Sequence, residues 1–190
     1  MIDLIKKIIK HSKIEIVSLF ENFITYYPDT KIGKSLRGFY FGKKFKKKGK
    51  NLNLMHGFRV SHPEKIVVGD RFSCNIFTYL NCGNCNGIYF GDNVAIGPNV
   101  YIRSANHIYN KDNTDVRDLG YKETKISYKD NFYSIIIEGN NWIGANCTIL
   151  PGTFIEKGAI VGAGCVISGK IKANSVYVTS RPKFAFNREN

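Results

Sequence analysis

The sequence lacks several features that would place it in a common functional class. No apolar run in its 190 residues approaches the roughly 20 residues that a membrane-spanning helix needs. Its first residues, MIDLIKKIIKHSK, lack the long uncharged stretch and the small-residue cleavage site of a secretory signal peptide. It contains no zinc-finger pattern, RNA-binding signature or clear helix-turn-helix. We therefore expect a cytoplasmic protein that does not bind nucleic acid.

Cysteines are few and odd in number, namely Cys74, Cys82, Cys85, Cys147 and Cys165. An odd number fits a reducing compartment. Cys82 and Cys85 form a C-x-x-C, but no second pair completes a four-ligand zinc site and no thioredoxin-like context surrounds it. We expect neither a bound metal nor a redox role.

Acidic residues are also scarce, since 15 Asp and Glu stand against 28 Lys and Arg and the net charge is +13. The excess lies near the N-terminus, because residues 1–60 carry +10 and residues 61–190 carry +3. Its densest part is FGKKFKKKGK at 41–50. This run is either a solvated loop or a peripheral contact with an anionic membrane, at about 1 kcal/mol per basic residue.

The first 27 residues are predicted to be helical. Apolar residues recur mostly every three or four positions from Ile2 to Ile24, and Pro28 ends the pattern. The helix either packs on the domain or a neighbouring subunit, which we favour, or lies at a membrane surface. We divide the chain into an N-terminal helix and basic segment, 1–59, and a second domain with a C-terminal tail, 60–190.

The strongest pattern is a repeat of six residues. Ile or Val occupies every sixth position in one long stretch, at Ile137, Ile143, Ile149, Ile155, Val161 and Ile167. A second stretch, 90–102, shows the same pattern. Small residues stand four positions after most of these anchors, as Cys147 and Cys165 do.

A period of six fits neither an α-helix nor a simple alternating strand. It predicts a chain that turns a corner every six residues, so that three faces close a coil of about 18 residues. Successive coils stack as parallel strands about 4.8 Å apart. The predicted fold is therefore mainly β, a parallel β-helix of hexapeptide repeats. Cys147 and Cys165, 18 positions apart, should lie one above the other in its interior.

A polar and aromatic insertion interrupts the repeats from about Asn106 to Ser134. Long insertions in a regular solenoid are more often functional than accidental. His107 lies at the root of this loop, where a rigid coil would position a catalytic base. A lone histidine can equally be structural or solvent-exposed. Tyr109 and Tyr121 lie on the same loop and are candidates for contact with a substrate.

Three stretches carry a resemblance to a known family: FGDNVAIGPNVYIRSANH (90–107), IIIEGNNWIGANCTILPGTFIEKGAIVGAGCVISG (135–169) and ANSVYVTSRPK (173–183). Together they resemble the hexapeptide-repeat acyltransferases, which have a left-handed parallel β-helix. The resemblance covers about residues 60–185. It points to the branch of maltose and galactoside O-acetyltransferases and of O-antigen, capsule and colanic-acid acetyltransferases.

The resemblance implies a homotrimer with active sites between neighbouring subunits and direct transfer from acetyl-CoA, without a metal. His107 matches the catalytic histidine of that family. It would accept the proton of a sugar hydroxyl as the oxygen attacks the thioester, a contribution of roughly 10²–10⁴-fold.

The resemblance also assigns roles to other positions. Trp142 matches a residue beside the pantetheine arm, Ala145 and Ala163 match backbone contacts to that arm, and Gly144 and Gly162 keep the groove shallow. Asn75 aligns with a residue that contacts the acceptor.

The nucleotide end of the co-substrate has its own matching positions. Ser168 matches a threonine near the nucleotide. Lys183, with Arg181 nearby, matches a basic position that meets the CoA phosphates. The segment TSRPK (179–183) departs from the usual GNPAK, which puts these phosphate contacts in doubt.

The preferred function is O-acetylation of a sugar in surface polysaccharide biosynthesis. We expect a lipid-linked or nucleotide-linked saccharide at the cytoplasmic membrane face as the acceptor, because the basic N-terminal region favours a membrane-proximal substrate over a free sugar, although the sequence leaves a free sugar open. An N-acetyltransferase of a nucleotide-linked amino sugar and a streptogramin-type antibiotic acetyltransferase are the alternatives. A γ-type carbonic anhydrase would need three histidine ligands, and only His107 lies in the repeats.

Overall fold

The computed structural model describes residues 2–83, 86–109, 115 and 117–179. Two helices come first, α1 (Ile2–Tyr26) and α2 (Lys31–Gly42). The predicted first helix is present and ends before Pro28. The second helix has no counterpart in the sequence prediction, because three glycines weaken its helix propensity. It starts at an N-cap, where the Thr30 hydroxyl accepts the Gly33 N–H at 3.1 Å.

The rest of the described chain is mainly a parallel solenoid with three faces. The first face contains β1 (Lys47–Lys48), β4 (Ile66–Val68), the first half of β7 (Gly87–Ile96), the middle of β12 (Asn131–Ile143), β14 (Phe154–Ile155) and β17 (Lys170–Ile171). The second face contains β2 (Asn53–Leu54), β5 (Ser73–Cys74), the second halves of β7 and β12, β15 (Ile160–Val161) and β18 (Val176–Tyr177). The third face contains β3 (Arg59–Ser61), β6 (Tyr79–Asn81), β8 (Tyr101–Arg103), β13 (Thr148–Ile149) and β16 (Val166–Ile167).

The six-residue period sets the core of this solenoid. All six anchors from Ile137 to Ile167 are buried. Cys147 and Cys165 are both buried free thiols, and the carbonyl of Cys165 accepts the Thr148 N–H at 2.8 Å. The predicted stacking of successive coils is therefore confirmed, and with it the mainly β fold class of hexapeptide repeats.

The corners of the coils use a residue type that the repeat pattern alone did not single out. Asparagines turn many of them in the left-handed region, with φ between 52° and 57° at Asn93, Asn99, Asn140, Asn146 and Asn174. Asparagine tolerates this conformation better than other side chains do. Glycines take the same role at Gly152, Gly158 and Gly164.

The two helices cover the first coil of the solenoid. Ile24 of α1 and Phe41 of α2 belong to the same buried core as Leu54 and Phe58. Parallel pairing already begins at Lys47, which pairs with Val67. The division of the chain at residue 60 stays a prediction, although part of the lysine run is a strand of the first face.

The insertion after His107 is tied back to the solenoid by two antiparallel pairs. Strand β9 (Asn106–His107) pairs with β10 (Tyr121–Lys122), and β11 (Ile126–Tyr128) pairs with the start of β12. The β11–β12 hairpin packs outside the first face in a separate aromatic cluster around Val67, Tyr133 and Ile136. The parts of the insertion before and after residues 110–114 and 116 in sequence are thus tied to the solenoid. Residues 110–114 and 116 themselves are outside the described residues.

Candidate active site

His107 is held by the strand pair at the root of the insertion. Its register partner is Tyr121, and the two rings lie with centroids 4.5 Å apart at 35°. The ring of Tyr121 therefore restricts how the imidazole can turn. The expected contact of Tyr121 with a substrate stays a prediction, whereas its contact with His107 is a feature of the structure.

One nitrogen of His107 is buried and unsatisfied. Its Nδ1 atom has no hydrogen-bond partner in the part of the chain that the structure describes. A buried polar atom without a partner costs about 1–3 kcal/mol. Such atoms are rare in native proteins and usually mark a place where a ligand, a water or another chain supplies the partner.

The coil below His107 is firmly anchored. The Ser104 N–H donates to the Asn81 carbonyl at 3.0 Å, and the Ser104 hydroxyl accepts the Gly83 N–H at 3.1 Å. Ser104 and Ala105 are buried. Tyr109, two residues beyond His107, is 84% exposed, so the chain passes from a rigid coil into solvent within a few residues, as the sequence predicts.

A second group of candidate residues lies at the corner between the second and third faces. Trp142 points outward from the second face and is 56% exposed, between Ala95 and Ile160 on the neighbouring coils. Asn75 lies at the same corner two coils earlier, since its N–H donates to the Ile96 carbonyl at 2.9 Å. The side-chain oxygen of Asn75 accepts the Ile76 N–H at 2.8 Å.

Gly144 and Gly162 have a structural role at this corner. A Cβ on Gly144 would lie 2.5 Å from the Ala163 nitrogen, and one on Gly162 would lie 3.1 Å from the Tyr177 carbonyl oxygen. Gly144 therefore leaves no room for a side chain between stacked coils, whereas a Cβ on Gly162 would require small shifts of Val178 and Tyr177. Their expected role in keeping a cofactor groove shallow stays a prediction, as do the backbone contacts expected of Ala145 and Ala163.

One chain does not bring the two groups together. His107 follows the end of the third face, while Trp142 and Gly144 precede the beginning of that face. Ser168 is exposed and lies at the same edge of the third face as His107, two coils further on. Arg181 and Lys183 lie outside the described residues.

The described thiols have the environment of structural cysteines. Burial raises the pKa of Cys147, and it raises the pKa of Cys74 well above its usual range. Neither thiol is therefore a ready nucleophile. The described residues contain no group of three or more His, Cys, Asp or Glu that could hold a metal ion. Cys85 of the C-x-x-C lies outside them.

Comparison with known proteins agrees with this fold. Residues 134–168 match the model of the hexapeptide repeat of succinyl-transferase. A galactoside O-acetyltransferase of Lactococcus lactis is 31% identical over 70% of this chain and 59% of its own length. A putative lipopolysaccharide biosynthesis O-acetyl transferase, WbbJ, of Escherichia coli is 28% identical over 58% of this chain and 66% of its own.

Solved structures give the same result. A maltose O-acetyltransferase from Clostridium difficile 630 superposes with a TM-score of 0.69 at 26% identity, over 87% of this chain and 80% of that one. A galactoside acetyltransferase in complex with coenzyme A has a TM-score of 0.65 at 23% identity, over 83% of this chain and 71% of that one.

The buried anchors at every sixth position and the three parallel faces define this chain as a hexapeptide-repeat protein. Within that class it has the acetyltransferase fold. The resemblance to the maltose and galactoside O-acetyltransferase branch is confirmed.

Proposed function

We propose that this protein is an acetyl-CoA-dependent O-acetyltransferase that modifies a sugar hydroxyl in surface polysaccharide biosynthesis. The observation that carries the proposal is the buried Nδ1 of His107 at the root of the insertion, which has no hydrogen-bond partner among the described residues. The relatives named as galactoside and lipopolysaccharide O-acetyltransferases support the choice of a sugar acceptor.

The residues present are compatible with the co-substrate. Trp142 offers an exposed aromatic face next to Gly144, and we propose that the Gly144 and Gly162 corner leaves a shallow groove for the pantetheine arm. Acetyl-CoA supplies a thioester carbonyl that a hydroxyl oxygen can attack. His107 would accept the proton of that hydroxyl as the oxygen forms the new ester bond, and the thioester C–S bond would break so that CoA leaves as a thiolate that takes up the proton. The contact with Tyr121 restricts how the His107 ring can turn.

A complete site needs two chains, because His107 and Trp142 occupy opposite ends of the third face. We therefore propose a homotrimer in which His107 of one subunit faces the Trp142 corner of its neighbour. The exposed apolar residues Trp142, Val166, Val176 and Val178 support a contact on this side of the solenoid.

Mixed trimers test this arrangement. His107→Ala and Trp142→Ala proteins are each expected to be weakly active, with a mass three times 21.5 kDa by sedimentation. Co-expression with two affinity tags isolates trimers that contain both chains. Some interfaces then combine an intact His107 with an intact Trp142, so activity should return. Mixed trimers no more active than either parent would contradict a shared site.

Binding of the co-substrate gives the first test of the activity. A ligand at 100 times its Kd stabilises a protein by about 2.7 kcal/mol, which raises the Tm of a chain of this size by about 5–10 °C. We expect that rise with acetyl-CoA and a smaller one for Trp142→Ala. Pantetheine and adenosine, which lack the phosphates, serve as fragment controls. An unchanged Tm at millimolar acetyl-CoA would rule out the proposed activity.

Other parts of the sequence interpretation stay predictions. Measuring acetyl transfer to a panel of acceptors would distinguish sugar hydroxyls from amino sugars and streptogramins. No helix among the described residues is long and apolar enough to cross a membrane. The cytoplasmic location and the peripheral contact with an anionic membrane are still to be tested.

A further inference from the structure

A groove runs along the outside of the first face, beside the aromatic cluster of the β11–β12 hairpin. One part has a volume of about 630 Å³, and its walls include Lys46, Lys47, Tyr89, Lys129 and Tyr133. A second part of about 410 Å³ shares Lys46 and Tyr133 with the first. We call this continuous feature the lysine groove.

The ammonium groups of the lysine groove are available to a ligand. Lys46 and Lys47 are exposed, and neither forms an ion pair with a carboxylate in the described part of the chain. Lys129 comes from the hairpin turn, 82 positions after Lys47 in sequence. Its Nζ donates to the Tyr89 hydroxyl at 2.9 Å and lies 5.2 Å from the Tyr128 ring centroid.

The first part of the groove also contains two exposed carboxylates, which keep their charge and each accept one backbone N–H. Asp70 Oδ1 accepts the Lys50 N–H at 2.7 Å, and Asp92 Oδ1 accepts the Asp70 N–H at 2.6 Å. Tyr89, which is partly buried, and Tyr133, which is buried, also line this part. It therefore combines tyrosine side chains with three lysines that form no ion pair with a carboxylate among the described residues.

The second part of the groove includes a residue two positions after the tyrosine that contacts the candidate base. Asn86 and Glu123 line it, and the Asn86 amide donates to the Thr124 carbonyl at 2.9 Å. Glu123 follows directly after strand β10, whose Tyr121 contacts His107. Glu64 and Glu123, the acids here, lie near His62 at 3.1 Å and Lys125 at 3.1 Å, respectively.

We propose that the lysine groove binds the pyrophosphate of an acceptor saccharide, which then extends along the groove toward His107. Ammonium groups bind phosphate as point charges, and tyrosine faces offer apolar area for a sugar ring. The substrate class is thus a saccharide joined through pyrophosphate to a nucleoside or to a polyprenyl lipid. The claim that the ligand carries a saccharide rests on the proposed function. The claim that the groove binds pyrophosphate does not.

Calorimetry on the full chain tests the groove without any acetyl transfer. The probes are inorganic pyrophosphate, UDP-glucose and farnesyl pyrophosphate in detergent, at one fixed ionic strength. The groove variant carries Lys46→Gln, Lys47→Gln and Lys129→Gln, and we expect its Kd for pyrophosphate to rise at least 10-fold. The control carries Lys31→Gln, Lys157→Gln and Lys172→Gln, which changes the net charge equally outside the groove, and it should bind as the unaltered protein does.

The arms of the experiment separate the possible results. Tighter binding of UDP-glucose supports a nucleotide-linked acceptor, and tighter binding of farnesyl pyrophosphate supports a lipid-linked one. Equal weakening in the groove and control variants would overturn the proposal, because it would reflect net charge alone. If the change at Lys129 disturbs the hairpin, the double variant Lys46→Gln, Lys47→Gln is compared with Lys31→Gln, Lys157→Gln, which changes the net charge by the same amount.

Acetyl-CoA itself contains a pyrophosphate, so its binding is measured on the same proteins. We expect the groove variant to keep the full Tm rise with acetyl-CoA. Loss of that rise would assign these lysines to the co-substrate and overturn the proposal. Absence of the rise in the unaltered protein would instead reject the acetyltransferase while leaving pyrophosphate binding intact.

Discussion

His107→Ala should lower kcat/KM for acetyl transfer by roughly 10²–10⁴-fold, the usual contribution of a positioned general base. The fold should survive, because the His107 side chain is only partly buried and its Nδ1 makes no hydrogen bond within the described chain. The measurement is the rate of CoA thiol release with a saccharide acceptor, alongside the Tm of both proteins.

His11→Ala is the matched control for this result. His11 is an exposed residue of helix α1 and does not line the lysine groove. Its replacement should leave turnover unchanged. Equal rates for His107→Ala and the unaltered protein would remove His107 as the base, even if acetyl-CoA still binds.

The largest expected loss of stability follows from Asp29→Ala, at about 3–5 kcal/mol. Arg37 is fully buried and donates to Asp29 and to the carbonyls of Leu54, at 2.8 Å, and Tyr27. Asp29 also accepts the His56 N–H at 2.8 Å. Without Asp29 the buried guanidinium would lose its counter-charge where α1, α2 and the first coil meet.

Denaturant unfolding at one fixed protein concentration measures this loss. Asp115→Ala is the control, because Asp115 pairs with Arg117 on the surface at 2.7 Å and should contribute nothing measurable. A free energy of unfolding that is unchanged by Asp29→Ala would show that the helices do not depend on this network.

The Asp29 carboxylate also gives the stability of the protein a defined pH dependence. Burial raises the pKa of Asp29, but hydrogen bonds from His56 and the charge of Arg37 outweigh it, so the pKa lies below its usual value. The resulting stabilisation is present above the unfolded pKa of about 3.9 and is lost as pH falls through the lower folded value. The stability difference between the unaltered protein and Asp29→Ala should therefore shrink below about pH 4.

Local patterns were sufficient to predict the coils. The anchors from Ile137 to Ile167 follow one after another, and each buries itself within its own coil, so their period is visible in the sequence. Helix α2 was harder to predict, because its glycines lower its helix propensity while they allow neighbouring backbone to pack closely against it. A Cβ on Gly33 would lie 2.0 Å from the Pro28 carbonyl oxygen.

The sequence by itself determined the repeat, the parallel solenoid, the first helix and the position of His107 at the root of the insertion. All of these depend on neighbours within a few residues or one coil. Only the tertiary structure decided what lies across coils. It placed Lys129 in the same groove as Lys46, Tyr121 against His107, and Asp29 between Arg37 and His56. These contacts depend on how the helices and the insertion fold back over the solenoid, and no periodic signal in the chain encodes that.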